Sequence, residues 1–349
     1  MPDWRPTAID LFAGCGGLTL GLKQAGFDVL AAIEIDEIAA KTYSMNHPEV
    51  EMWEDDIRDV HPVDMMDELH LGEFELDLLA GCPPCQGFSS ISTLNGHRRI
   101  DDARNDLVLL FSQYVEYLMP KIVMMENVPG LADDERFTRV CRTLKKRGYR
   151  CKWDVLNAAD YGVPQRRRRL ILIASLLGEP QFAPQSPDRI TVRDAIGALP
   201  APGRSGDPIH DFPENRTARV QKYIAQIRKN GGSRTELGRR KQLPCHKKCN
   251  GFKDIYGRMA WDEVSPTITS GCFNPSKGRF LHPTCNRAIT MREAALLQSF
   301  PPDYVFSTER GKTHVASMIG NALPPEFVKR HAKQILIRSN SSKIATGRH

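Results

Sequence analysis

The stretch "TAIDLFAGCGG", residues 7–17, decides the fold. Residues 7–12 are short, mostly apolar and without helical spacing, so they read as a buried strand. The chain then breaks into Gly14, Gly16 and Gly17 and continues as a helical stretch, "LTLGLKQAG" (18–26). Strand, glycine-rich turn and helix make the first unit of an open α/β sheet, and such glycines let a ligand approach the main chain closely. Alone, the turn serves structure as readily as nucleotide binding, and both readings stay open at this point.

The pattern recurs. "FDVLAAIEID" (27–36), "ELDLLAG" (75–81), "KIVMMEN" (121–127) and "RRLILIAS" (168–175) are further buried-type strands, and "DLVLLFSQYVEYLM" (106–119) is helical between two of them. Strands alternating with helices predict a parallel, doubly wound, Rossmann-like sheet. After about residue 178 the pattern changes to segments rich in Pro, Gly and charge, such as "LPAPGRSGDP" (199–208) and "NGGSRTELGRR" (230–240). The expectation is a sheet domain of residues 1–178 plus 316–349 and a smaller, loop-rich domain of residues 179–315. The helix in "IGNALPPEFVKRHAKQILIR" (319–338) is expected to return to the sheet.

An apolar content of 41% and a charged content of 26% are ordinary for a soluble globular chain. The segment "MPDWRPTAID" lacks a signal-peptide pattern, and the longest apolar run, "LILIASLL" (170–177), is too short to cross a bilayer. With nine cysteines, an odd number, a disulfide framework is not expected, and a cytoplasmic, non-membrane protein is. Cys245, Cys249, Cys272 and Cys285, with His246 and His282, are not spaced as a common zinc finger, so no metal site is expected. The net charge of +6 is uneven: residues 179–315 hold 22 Lys/Arg against 13 Asp/Glu, a local excess of +9. A polyanion partner or a merely solvated face would each explain it.

Several polar residues stand where such sheets place their chemistry. Glu34 closes the second strand, where a carboxylate suits ribose hydroxyls, and Asp56 follows a possible third strand, where it suits an adenine amino group. "IVMMENVPG" (122–130) delivers Glu126 and Asn127 at a strand end, and the apolar run before Glu126 predicts a desolvated carboxyl able to donate a proton. In "GCPPCQGFSS" (81–90), Pro83 and Pro84 restrict the backbone before Cys85, as would suit a nucleophile held still. In "YGVPQRRRRL" (161–170), strand alternation would put Arg167 and Arg169 on one face and Arg166 and Arg168 on the other. In residues 257–283, the threonines with Asn274, Lys277 and Arg279 suit phosphate and base contacts, while Trp261 is expected to pack a small core.

The order "DLFAGCGG", "PPCQGFS", "ENVPG", "QRRRRL", "REAALLQSFP" and "IGNALPP" resembles the C5-cytosine DNA methyltransferases from about residue 7 to 336. The resemblance implies that Cys85 is the nucleophile adding to cytosine C6 and that Glu126, beside Asn127, is the acid at N3. It implies that Arg167 and Arg169 support a cytosine flipped out of the duplex. Phe12, Gly14, Gly16, Glu34, Ile35, Asp56, Ile57, Pro84 and Asn321 match positions on the S-adenosylmethionine side. Two departures stand out: Ile35 where some relatives carry tryptophan, and Met318 where glutamine is frequent. The implied function is methyl transfer to cytosine C5 in a specific double-stranded DNA sequence, with 179–315 as the target-recognition domain. The alternative is methylation of transfer RNA, because an RNA-modifying branch shares these motifs. The compact size resembles prokaryotic modification enzymes, implying a monomer that associates with the nucleoid through DNA, often beside a companion restriction endonuclease.

Overall fold

The computed structural model describes residues 5–84, 106–238, 242 and 253–346, with side chains described as far as 337. Cys85 therefore lies outside the described residues, as do Cys245, His246 and Cys249. The described chain forms β1 (Thr7–Leu11), α1 (Gly17–Ala25), β2 (Asp28–Ile33), α2 (Glu37–Asn46), β3 (Glu51–Trp53), α3 (Pro62–Glu68) and β4 (Leu78–Gly81). There follow α4 (Leu107–Leu118), β5 (Ile122–Asn127), α5 (Glu135–Lys146), β6 (Arg150–Asn157) and β7 (Arg168–Ser175). The remaining α-helices are α6 (Val192–Ile196), α7 (Ala218–Gln226), α8 (Met291–Leu297), α9 (Gly311–Asn321) and α10 (Pro325–Thr346).

The described residues cluster into two compact units: those within 1–157, 168–185 and 323–349 form one, and those within 158–167 and 186–322 form the other. In the first unit seven strands make one sheet in the order β3-β2-β1-β4-β5-β7-β6. Strands β1 to β5 pair in parallel, which fits crossover helices between them. One face is covered by α3, α4 and α5, whose Met65, Phe111, Tyr114, Phe137 and Leu144 join Ile9, Leu79, Val123 and Leu172 in a single buried cluster. The amphipathic spacing of α5 explains its side: Phe137, Val140 and Leu144 are buried, while its lysines point away from the core. Against α1 lies α10; a Cβ on Gly21 would come within 2.5 Å of Val328 Cβ and 2.6 Å of Pro325 O.

Two features of the sheet depart from the sequence reading. β7 is antiparallel to both its neighbours, β5 and β6. No crossover α-helix separates β6 from β7, only residues 158–167 with a short 3-10 turn (Ala158–Tyr161), and a parallel pairing needs a longer crossover. β6 itself was not anticipated, because this edge strand is largely polar and Trp153 is 47% exposed.

The second unit is poor in long helices. A small cluster of Tyr223, Ile224, Ile227, Tyr256 and Leu281 forms one of its cores. Trp261, expected in such a core, is half-buried instead, with the Arg193 guanidinium 5.4 Å from its ring centroid. The units divide the chain differently from the sequence expectation at 158–167, 179–185 and 316–322. Residues 158–167 join the second unit because Gln165 and Arg167 bond to its main chain: Ile268 N donates to Gln165 Oε1 at 2.9 Å, and Arg167 Nη1 donates to Gly320 O at 3.0 Å.

Candidate active site

The turn after β1 is shaped by left-handed residues: Phe12, Gly14 and Gly16 have φ of 62°, 55° and 89°. Gly16 caps α1 in this conformation, which glycine adopts without steric penalty. A Cβ on Gly14 would meet nothing within 4 Å, so the space beside that residue is open. Glu34, just past β2, fastens the turn: its Oε2 accepts from Gly14 N at 2.7 Å and its Oε1 from Asp36 N at 2.8 Å. Burial pushes the Glu34 carboxyl above its ordinary range, while those two main-chain donors pull the other way. Ile35 follows as a 63% exposed apolar side chain, an open surface for an aromatic ring.

Asp56 lies on the loop after β3 and is held below the usual carboxylate range, chiefly by its hydrogen bonds with Arg58. It accepts from Arg58 N at 3.0 Å and Nε at 2.9 Å, and pairs with the same guanidinium through Oδ2. Ile57 is buried; Tyr114 Oη donates its one hydrogen to Val60 O at 2.6 Å and lies 3.2 Å from the Ile57 carbonyl oxygen. Tyr114 thus anchors the loop carrying Asp56 and Ile57 from α4. Sequence reasoning missed it, because a tyrosine on an apolar helix face looks like core.

The paired strands β4 and β5 bring a second set of residues to one edge. Gly81 is the register partner of Met125, so Cys82 and Glu126 each follow directly from a paired position. Cys82 N extends the pairing with β1 by donating to Leu11 O at 3.2 Å. Asn127 Nδ2 donates to Pro83 O at 2.9 Å, and Val128 N donates to Asn127 Oδ1 at 2.8 Å. That bond fixes the approach to Pro84, the last described residue before Cys85. Glu126 is buried and pairs with Arg169, whose Nε lies 2.8 Å from its Oε1. Arg169 also donates to Arg168 O at 2.8 Å, so its guanidinium is pinned on two sides.

Arg167 does not share a strand face with Arg169, because β7 begins only at Arg168. It is buried in the second unit and donates to the carbonyls of Ile268 (3.2 Å), Gly320 (3.0 Å) and Asn321 (3.4 Å). Asn321 closes α9 and is exposed, its Nδ2 3.4 Å from Ser317 Oγ. Arg279 is likewise engaged at home, with Asp254 and with the carbonyls of Gly231, Gly232 and Arg258. Asn274 caps a short turn by accepting from Ser276 N, whereas Lys277 is exposed. Exposed cations of this unit include Arg204, Arg219 and Lys222.

Asp10, on β1 beneath the glycine turn, was not singled out from sequence. It is fully buried, accepts from Thr19 Oγ1 at 2.8 Å, and its Oδ1 has no partner among the described residues. Burial pushes its carboxyl up to about 7. An acid inside a strand could have flagged it. Among the described residues no helix is long and apolar enough to cross a membrane, and no group of three or more His, Cys, Asp or Glu is placed to hold a metal.

The chain is 35% identical to the Type II methyltransferase M.XorII of Xanthomonas oryzae pv. oryzae, covering 95% of this chain and 85% of that protein. It is 36% identical to the Type II methylase M.HgiDII of Herpetosiphon aurantiacus, over 94% of each. Among solved structures it resembles a prophage-encoded DNA modification methyltransferase from E. coli, with TM-score 0.74, 26% identity and coverage of 96% and 99%. The Entamoeba histolytica methyltransferase EhMeth shares the fold at TM-score 0.65 and 17% identity, over 96% and 99% of the two chains. Residues 7–337 match the C-5 cytosine-specific DNA methylase family, and the chain belongs to it as a DNA cytosine-5-methyltransferase.

Proposed function

We propose that this protein methylates C5 of a cytosine within a specific duplex DNA sequence, using S-adenosylmethionine, a flipped base and a covalent bond from Cys85 to C6. The observation that carries this reading is the pair of adjacent strand ends. β4 ends at Gly81, directly before Cys82, Pro83 and Pro84, and β5 presents Glu126 already paired with Arg169.

The residues beside the glycine turn fit the cofactor. Glu34 places a carboxyl held by main-chain donors where ribose hydroxyls can reach it, Ile35 offers an exposed apolar contact for adenine, and the space at Gly14 is open. Phe12, Gly16, Asp56, Ile57, Pro84 and Asn321 join this set on the strength of family resemblance. S-adenosylmethionine supplies an electrophilic methyl group on a sulfonium.

Cytosine C5 is a poor nucleophile, and the chain's own groups change that. The Cys85 thiol gives up its proton as the sulfur adds at C6, and a proton delivered to N3 through the Glu126 carboxylate makes C5 an enamine carbon able to take the methyl group. Arg169 orients the Glu126 carboxyl and compensates its charge once the proton has left. Loss of the C5 proton to a base and expulsion of the thiolate then restore the aromatic ring. Because C6 lies inside the base stack, the cytosine must leave the duplex first. We assign duplex binding to the basic second unit, and infer from the Type II names of the relatives that a companion endonuclease recognises the same site. A monomer in the cytoplasm suffices for this activity.

The test is a duplex with 5-fluorocytosine at the target, incubated with S-adenosylmethionine. Fluorine cannot leave as a cation, so enzyme and DNA should stay joined through denaturing electrophoresis, with peptide mapping placing the link at Cys85. An active enzyme that forms no adduct, or links through Cys82, overturns the mechanism. Methylation of transfer RNA but not of duplex DNA overturns the substrate.

A further inference from the structure

In the second unit the extended segment "SPTITS" (265–270) is held by side chains of residues two apart in the chain. Gln165 Oε1 accepts from Ile268 N at 2.9 Å, and Arg167 Nη1 donates to Ile268 O at 3.2 Å. Ile268 thus has its N–H and C=O bound by two side chains, as a neighbouring strand would bind them. The main chain joins in, with Arg166 N donating to Ser265 O and Ser265 N to Pro164 O, both at 2.9 Å.

Gln165 is itself oriented by Gln298 at the end of α8. Gln165 Nε2 donates to Gln298 Oε1 at 2.7 Å and to Leu297 O at 3.2 Å. Gln298 Nε2 donates to Ile319 O at 2.5 Å and to Ala322 O at 3.3 Å, at the end of α9. Both glutamines are fully buried, and all four of their N–H groups have acceptors. This fixes which end of each amide is oxygen: turning either amide over would set donor against donor or acceptor against acceptor. From α9, Gly320 lies so close that a Cβ would overlap Ser270 N and the Thr269 carbonyl carbon.

The outward side of this pinned segment is polar. Ile268 is buried, Thr267 and Thr269 beside it are partly exposed, and Ser270 is exposed. Thr267 Oγ1 donates to Arg166 O at 2.7 Å and keeps its lone pairs for a partner. Hydroxyls bond within a few tenths of an ångström or not at all, so they reward exact placement. Exposed cations attract phosphates with little regard to placement.

We propose that Gln165 and Gln298 are positioning residues for target discrimination: by locking residues 265–270 from the inside, they hold the threonine hydroxyls where the cognate duplex needs them. This rests on the reading that the second unit binds duplex DNA. A loosened segment would have to be ordered on specific binding, whereas non-specific, charge-driven binding would not notice.

The experiment compares wild type with Gln298→Met. The affinities measured are for a duplex carrying the site found by base-resolution sequencing of methylated DNA, and for a scrambled duplex, each across a salt series. The expected result is about tenfold weaker binding to the target, because a buried network loses its partners, with scrambled-duplex affinity and salt slope unchanged. Gln298→Glu keeps the size and the acceptor facing Gln165 but removes both donors to α9; it should behave alike, and it replaces the Met variant should that one not fold. A variant that keeps full discrimination overturns the proposal. So does equal loss on both duplexes, or unfolding of both variants, since either would make the pair a purely structural requirement. A wild-type protein that does not distinguish the two duplexes would instead overturn the reading of the second unit as the DNA-recognising part.

Discussion

Glu126 on β5 and Arg169 on β7 meet across an antiparallel strand pair, with Nε 2.8 Å from Oε1 and side chains only 9% and 18% exposed. Removing one partner leaves a nearly buried charge uncompensated. Arg169→Met should therefore cost about 3 kcal/mol in urea unfolding and abolish methylation. Glu126→Gln combined with Arg169→Met should regain much of that stability and none of the activity. A single variant as stable as wild type would mean the pair contributes nothing.

Glu34 accepts main-chain donors from both Gly14 and Asp36 while facing the open space of the glycine turn. Glu34→Ala should weaken S-adenosylmethionine binding at least about tenfold in calorimetric titration, since it removes an anchor of the turn as well as the acceptors for the ribose. Duplex affinity measured alongside should stay the same. Unchanged cofactor affinity would take Glu34 out of the site.

Residues 179–315 carry 22 Lys/Arg against 13 Asp/Glu. Duplex affinity should fall steeply with salt, and replacing the exposed Arg204, Arg219 and Lys222 by glutamine should flatten the log–log slope by about 0.9 for each phosphate no longer neutralised. A slope that ignores all three places the DNA face elsewhere.

Gly320→Ala sets a general preference against a local one. In a helix interior alanine is favoured over glycine by about 1 kcal/mol, yet here the added Cβ overlaps main-chain atoms that no rotamer change can move. A net destabilisation of about 1–3 kcal/mol is expected from thermal unfolding, and neutrality would contradict the close approach.

Asp10 should give the folded state a distinctive pH dependence. Its native carboxyl is pushed up to about 7, against an ordinary value of about 3.9 in the unfolded chain. Between those values the native state keeps a proton that the unfolded state loses, so this group's effect on stability worsens as pH rises from about 4 to 7 and is flat above. Asp10→Asn does not titrate and keeps an acceptor for Thr19. Its melting temperature should gain on that of wild type between pH 5 and pH 8; a difference that does not move with pH would show that Asp10 is ionised throughout.

Local sequence was sufficient wherever a residue's role depends on near neighbours. The apolar runs of β1, β2, β4 and β5, the glycines after β1 and the acids at strand ends are set by periodicity and steric rules that act over a few residues. The motif around Cys85 is legible in the same way, although that residue lies outside the described part of the structure. The direction of β7 and the existence of β6 were not legible, because strand direction follows from the connection and an edge strand needs no apolar pattern. Arg167 and Arg169 look equivalent in "QRRRRL", yet only the start of β7 and the bonds each one finds assign one to Glu126 and the other to the carbonyls of Ile268 and Gly320. The burial of Asp10 and the Gln165–Gln298 pair, 133 residues apart in the chain, belong wholly to tertiary structure. A polar side chain's meaning is set by whichever donor or acceptor folding brings within 3 Å of it, and no local pattern records that partner.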